Sequence, residues 1–150
     1  MNIALQPELE ARVRDPRWVR NDMDEFIRLT SPVATFGRVV TKDTEISGCP
    51  INKGERILVR FDSANRDEEI FDAPQEFQVD RQPNRHLAFG MGPHMCLGNI
   101  LARMELRIFY TQLLPRIESI ELAGDPSFLR ASFVHGVKHL PIRFKLKPAA

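Results

Sequence analysis

The run Phe89-Gly90-Met91-Gly92-Pro93-His94-Met95-Cys96-Leu97-Gly98 decides how this 150-residue chain is read. Beyond it, Leu97, Ile100, Leu101, Met104, Ile108, Leu113 and Leu114 recur at helical spacing as far as Pro115. Cys96 therefore stands at the mouth of a long amphipathic helix, with Gly98 inside its first turn. Unpaired amides and the positive end of a helix favour an anion, so the loop suits a thiolate. Gly90, Gly92 and Gly98 clear side chains from around the sulfur, as is needed where backbone must approach a large flat group closely. Phe89 can pack against such a group, and His94 can donate to an acidic group on its rim.

Other readings of the cysteine compete with this one. A lone cysteine is commonly a small buried hydrophobe. A zinc site wants further thiolates or histidines at ligand spacing, and His94 with Cys96 has no second pair nearby. A dinucleotide loop G-x-G-x-x-G fails because Met95 holds its last position, and an acyl-transfer pair would need a distant histidine such as His135 or His139. Neither of these last two accounts for all three glycines.

Composition narrows the class. The chain is 43% apolar and 27% charged, with 21 basic against 20 acidic residues, which is an ordinary globular balance. A formal charge of +1 gives no field for a phosphate backbone, so nucleic acid is not an expected partner. No apolar run approaches the roughly 18 residues of a spanning helix, so no membrane insertion is expected. Cys49 and Cys96 form no C-x-x-C pair and Met1 to Leu9 has no leader-like pattern, which points to free thiols and a cytoplasmic location. One domain is expected at this length.

Working outward, Asp15-Pro16 has the form of a helix start, and Val19, Met23, Phe26 and Ile27 predict a helix from about Pro16 to Leu29, stopped by Ser31-Pro32. A shorter helix is expected over Pro7 to Val13. Phe36 to Phe61 reads as a small antiparallel sheet, with Val39-Val40, an isolated Gly48, a turn at Lys53-Gly54 and alternation through Ile57, Val59 and Phe61. Asp62 to His86 shows neither period and predicts a long ordered meander. The tail returns to strand, where Leu140, Ile142, Phe144 and Leu146 alternate with polar residues and Pro141.

The loop from Phe89 to Gly98 resembles the haem-binding loop of the cytochrome P450 family, F-x-x-G-x-x-x-C-x-G, in its bacterial form. Further matches follow in the family's order. Glu25-Phe26-Ile27-Arg28 resembles the E-x-x-R of the K helix. Ala64-Asn65-Arg66-Asp67 with Phe71, Pro74, Phe77 and Arg81 resembles the meander. The run Asn84-Arg85-His86-Leu87-Ala88-Phe89 is similar to soluble bacterial, terpene-hydroxylating members. The resemblance spans about Pro16 to Leu146. It implies an α+β fold: K helix, small antiparallel sheet, meander, haem-thiolate loop, L helix and C-terminal β-hairpins.

It also implies roles. Cys96 would be the axial thiolate of haem b iron, with Phe89, Gly90 and Gly98 around it. Arg38 and His94 would partner the propionates, although a strand arginine is otherwise simply solvated. Glu25, Arg28 and Arg81 would be a buried charge triad locking the meander. A helical wheel disagrees, because Glu25 and Arg28 fall opposite the apolar stripe and read as a solvated i,i+3 pair; a meander folded over that face would reconcile the two. Val33, Ala34, Phe133 and Val134 resemble substrate-lining segments, and are otherwise core. Arg103 and Arg107, one turn apart on the helix after Cys96, could form part of a docking patch for an acidic electron-transfer protein, and are otherwise a polar helix face.

The implied chemistry is insertion of one oxygen atom from O2 into a small apolar substrate, terpenoid or steroid-like, with electrons from a ferredoxin-type donor. The family fold is about 400 residues, so the 150 residues are expected to be a single C-terminal segment without the I helix and its oxygen-activating motif. Three outcomes follow from that expectation: a truncated monooxygenase, a non-catalytic haem-binding or interaction module, or one part of a split enzyme.

Overall fold

A computed structural model describes residues 23–148. The start of the predicted Pro16–Leu29 helix, with Val19, and the predicted Pro7–Val13 helix lie outside the described residues. Helix α1 spans Met23–Thr30. It stops where the sequence places a stop: the Ser31 N–H still bonds to the Ile27 carbonyl at 2.9 Å, but its φ of 39° turns the chain into Pro32.

The stretch expected to be one sheet forms two separate two-stranded ladders. Strand β1 (Thr35–Val39) pairs antiparallel with β4 (Arg56–Arg60), and β2 (Thr44–Ile46) pairs with β3 (Cys49–Ile51) between them. Ser47 and Gly48, both at positive φ, make the two-residue turn that holds Ile46 opposite Cys49. The ladders separate because Val40 turns inward and is buried, while Asp43 accepts the Lys53 N–H at 2.7 Å. Phe61, expected at the strand's end, instead opens the short helix α2 (Phe61–Ala64).

Residues 65–91 run without regular structure and lead into a 3₁₀ turn, Gly92–His94, and then helix α3, Asn99–Leu113. Gly98 is the N-cap residue of α3, one position before the first turn. A second 3₁₀ turn, Leu114–Arg116, carries Pro115. Strand β5 (Ile117–Leu122) then pairs with β8 (Ile142–Leu146), enclosing the shorter pair β6 (Ser127–Phe128) and β7 (Val137–His139). The alternating residues of β8 are exposed on both faces, so that alternation marks the strand without marking a core face among the described residues.

The core gathers around α1. Met23, Val79 and Leu114 are buried together against Phe26, Phe77, Leu106, Tyr110 and Ile120, with Phe26 stacked on Tyr110 at 5.8 Å and tilted on Phe77 at 4.6 Å. A second aromatic group, Phe36 with Phe61 and Phe133, joins β1 to α2 and to the segment before β7. Helix α3 packs with one side only: Ile100, Leu101, Met104, Ile108 and Phe109 are all exposed.

Candidate functional site

Cys96 opens onto a cavity of about 550 Å³, within the roughly 300–1,000 Å³ of small-molecule and cofactor sites. One wall is the glycine loop: Leu87, Ala88, Phe89, Gly90, Met91, His94 and Cys96. The facing wall comes from the segment after α1 and the β1–β4 ladder, through Pro32, Val33, Phe36, Arg38, Val59 and Phe61. The predicted loop residues and the distant Arg38 are thus brought to one place.

The loop owes its shape to its glycines. Gly90 and Gly92 lie at φ of 71° and 77°, where a side chain would be strained. That path lets the Cys96 N–H reach back to the Phe89 carbonyl at 2.8 Å, and the Met95 N–H to Gly92 at 3.0 Å. A Cβ placed on Gly98 would sit 3.8 Å from Cys96 Sγ, so glycine keeps that flank of the sulfur clear. Among the described residues, the amides of Leu97 and Gly98, which follow the cysteine directly, have no hydrogen-bond partner. They are the orphan donors expected at a helix start.

Cys96 is exposed and in no disulfide. Arg38 and His94 are exposed on the cavity, and among the described residues neither pairs with a carboxylate; the Arg38 Nη1 donates to its neighbour's carbonyl, that of Gly37, at 2.9 Å. A soft anionic ligand, apolar walls and two cationic or donor groups on the rim suit a flat apolar metal complex with acidic edges. Val33 lines the cavity, but Ala34 does not: at 2% exposure it is core, its N–H bonded to the Phe133 carbonyl at 2.9 Å. Phe133 packs on Phe36 and Val134 bridges to Val33, and neither is among the residues that line this cavity.

Behind the loop lies a network of buried charge. Glu25 and Arg28 are 1% and 0% exposed and joined by two 2.7 Å bonds, and the Arg81 Nε reaches both Glu25 oxygens at 3.0 and 3.2 Å. The solvated-pair reading of the helical wheel fails here, because residues 65–84 fold over that face. The meander's carbonyls take the remaining guanidinium donors: Asn65, Pro74 and Glu76 from Arg28, and Asp72, Ala73 and Glu76 from Arg81. Phe71 lies against both cations, 5.0 and 5.9 Å from ring centre to guanidinium. Burial pushes the Glu25 carboxyl up, but bonds from Arg28, the Gln78 N–H and Arg81 outweigh it and hold it below the usual range.

Sequence reasoning missed several residues that fix this framework. Asn65 is fully buried, donating to Ser31 Oγ at 2.9 Å and accepting the Leu87 N–H at 2.6 Å, so it spans both cavity walls. Its place in Ala64-Asn65-Arg66-Asp67 was the only signal. Arg103 is not a free docking cation: its Nε donates to Asp24 at 2.7 Å, and its guanidinium lies 4.6 Å from the centre of the Phe89 ring. Arg107 is exposed.

Comparison with known proteins agrees with this architecture. Cytochrome P450-terp from a Pseudomonas species is 46% identical over 145 residues, 96% of this chain and 34% of that protein. A steroid C26-monooxygenase of Mycobacterium tuberculosis is 43% identical over 138 residues, 90% of this chain and 37% of that protein. The crystal structure of CYP108D1 from Novosphingobium aromaticivorans superposes with a TM-score of 0.90 at 42% identity, covering 97% of this chain and 36% of that one. The chain thus spans about a third of the length of these relatives. With residues 19–143 matching the family profile of Cytochrome P450, and an α+β framework shared with its solved members, the chain belongs to the cytochrome P450 family.

Proposed function

We propose that this chain supplies the thiolate side of a haem site in a monooxygenase, with Cys96 as the axial ligand of haem b. The observation that carries the reading is the single cavity that joins the Cys96 thiol, the Phe89 ring, and the Arg38 and His94 side chains. In this reading the unpaired Leu97 and Gly98 amides stabilise negative charge near the sulfur. Phe89, Val59 and Phe61 pack the ring's apolar area, Gly90 and Gly98 allow close approach, and Arg38 and His94 hold the two propionates by charge-assisted hydrogen bonds. Held there, haem would supply oxygen-activating chemistry, with two electrons from an external donor, one oxygen atom going into an organic substrate and the other leaving as water.

Val33, on the wall facing the cysteine loop, is the residue of this chain that would touch substrate. The names of the relatives, P450-terp and steroid C26-monooxygenase, support a small apolar terpenoid or steroid-like molecule. Electrons would come from a ferredoxin-type donor, in a cytoplasmic setting; among the described residues no helix is long and apolar enough to cross a membrane. The uncovered apolar residues of α3, Ile100, Leu101, Met104 and Ile108, favour further polypeptide over this face in the working protein.

The test is the absorption spectrum of the haem-loaded chain, reduced and exposed to carbon monoxide, beside Cys96→Ser. A red-shifted thiolate-type Soret band that disappears in the variant is expected. A histidine-type band in the unmutated chain, or no haem retained, overturns the assignment.

A further inference from the structure

Cys96 is held at both ends of its own backbone. Its N–H donates to the Phe89 carbonyl at 2.8 Å, and its carbonyl accepts the Asn99 Nδ2 at 2.7 Å and the Asn99 N–H at 3.3 Å. Phe89 and Asn99 then meet at one side chain. The Arg103 guanidinium lies 4.6 Å from the Phe89 ring centre, and its Nη1 donates to Asn99 Oδ1 at 2.9 Å. Arg103 is itself fixed by α1, through the 2.7 Å bond from its Nε to Asp24 Oδ1.

Asp24 has a second hold on the same loop. His86 Nε2 lies 2.9 Å from Asp24 Oδ1, and the Ala88 N–H donates to His86 Nδ1 at 3.2 Å. Because Nδ1 must accept, Nε2 carries the proton and donates to the carboxylate. His86 is 2% exposed and lies 6.0 Å from the Phe89 ring, on which Arg103 also rests.

We propose that Asp24 and Arg103 form a positioning pair for Cys96, acting through Phe89 and Asn99, and that their opposed charges tune the electron affinity of the metal the thiolate holds. The proposal rests on Cys96 being the haem ligand. Two features argue for tuning beyond simple packing. The pair is half-buried, 37% and 34% exposed, so water screens it only in part. Its cation lies over the Phe89 ring, while its anion meets that ring only through Arg103 and His86, so the two charges bear on the site with opposite sign. Burial pushes the Asp24 carboxyl up, but bonds from His86 and Arg103 hold it below its ordinary value, keeping it ionised at neutral pH.

The experiment compares Asp24→Asn, Arg103→Gln, Arg103→Lys and the double variant Asp24→Asn/Arg103→Gln in the haem-loaded chain, reading the one-electron reduction potential by dithionite titration. Removing the anion makes the potential more positive, and removing the cation makes it more negative. The double variant returns toward the unmutated value, and Arg103→Lys keeps the potential while losing the stacked fork. Haem loss is also faster in Arg103→Gln, roughly tenfold, for a lost charge-assisted hydrogen bond.

A merely structural pair would weaken haem retention in every variant and shift both single variants the same way, or not at all; that result overturns the proposal. Nitrogen NMR of the haem-free chain gives a second check, in which His86 must carry its proton on Nε2. A proton on Nδ1 instead would break the link to Ala88 and overturn it as well. If the unmutated chain lacks the thiolate-type carbon monoxide spectrum, the reading of Cys96 fails first. If that spectrum is present without opposed shifts, only the positioning proposal fails.

Discussion

Replacing Glu25 by glutamine keeps the shape of the side chain and removes one charge from between two buried guanidiniums. The carboxylate accepts two 2.7 Å bonds from Arg28, a shared pair at 3.0 and 3.2 Å from Arg81, and single 3.0 Å bonds from the Gln78 N–H and the Asn84 Nδ2. An amide can accept at only one end and points donors at donors from the other. Arg28 and Arg81, 0% and 7% exposed, are then left as buried cations facing carbonyls alone. Removing one partner of a buried pair costs about 3–5 kcal/mol. Against the total of about 5–15 kcal/mol that holds a typical domain, that is roughly a fifth at the least.

Equilibrium unfolding in urea measures this as a lower midpoint for Glu25→Gln. The pH dependence identifies the cause. The Glu25 carboxyl is held below its ordinary value, so its contribution is present above the ordinary glutamate value of about 4.3 and is lost as pH falls through the depressed folded value. The gap between the unmutated chain and Glu25→Gln is therefore full near pH 7 and closes in acid below about pH 4. A gap under about 1 kcal/mol near neutrality would refute the reasoning, because so small a loss is ordinary for surface changes. A gap of equal size in acid would show that lost hydrogen-bond acceptors, and not charge, account for the effect.

Three other outcomes are expected. Arg38→Gln and His94→Gln should each speed haem transfer to an apoglobin scavenger by roughly tenfold, the value of one charge-assisted hydrogen bond; unchanged rates would remove both from the rim. Gly90→Ala should lower the unfolding free energy measured in urea by about 1–2 kcal/mol of backbone strain, since Gly90 sits at φ 71° while an added Cβ meets its nearest neighbour, the His94 carbonyl, at an ordinary 3.8 Å. Gly37→Ala, where nothing lies within 4 Å and φ is ordinary, is the control and should cost nothing. Ile100→Glu with Ile108→Glu, at positions 75% and 54% exposed, should reduce self-association in light scattering while moving stability by less than about 0.5 kcal/mol.

What could be read from the residues follows a physical division. Local signals were legible: Ser31-Pro32 ends α1, Lys53-Gly54 turns the chain, and the period from Ile100 to Leu113 is a helix, while Gly48 was read only as an isolated glycine and not as half of a two-residue turn. Non-local facts were not. Glu25 and Arg28 lie on the polar side of α1 by any wheel, and their burial comes from a segment 37 to 56 residues away with no period of its own. Strand β5 was hidden because a register shift between Ile117 and Ser119 puts its apolar residues at 117, 120 and 122, which matches neither helix nor strand spacing. Ala34 was misplaced for a related reason: its neighbour Val33 does face the cavity, and alternation alone cannot say which of two adjacent residues turns inward.

Asp24 and Glu25 are successive residues of one helix, and each holds a different part of the site. Glu25 gathers the meander through Arg28 and Arg81, while Asp24 gathers the cysteine loop and α3 through His86 and Arg103. Their directions on α1 differ by about 100°, so one helix can anchor two elements that do not overlap. Asn65 links the two halves again, through Ser31 at the end of α1 and Leu87 at the start of the loop. The cavity is therefore placed by polar bonds more than by apolar packing. That fits a structure in which, among the described residues, the largest fully buried side chains are Arg28, Glu25, Asn65 and Ser31, and the residues next to the cysteine are mostly exposed. Such polar bonds are directional, and an apolar contact is not; on the proposed reading of Cys96 as a metal ligand, the directional kind is what would hold its loop in one orientation.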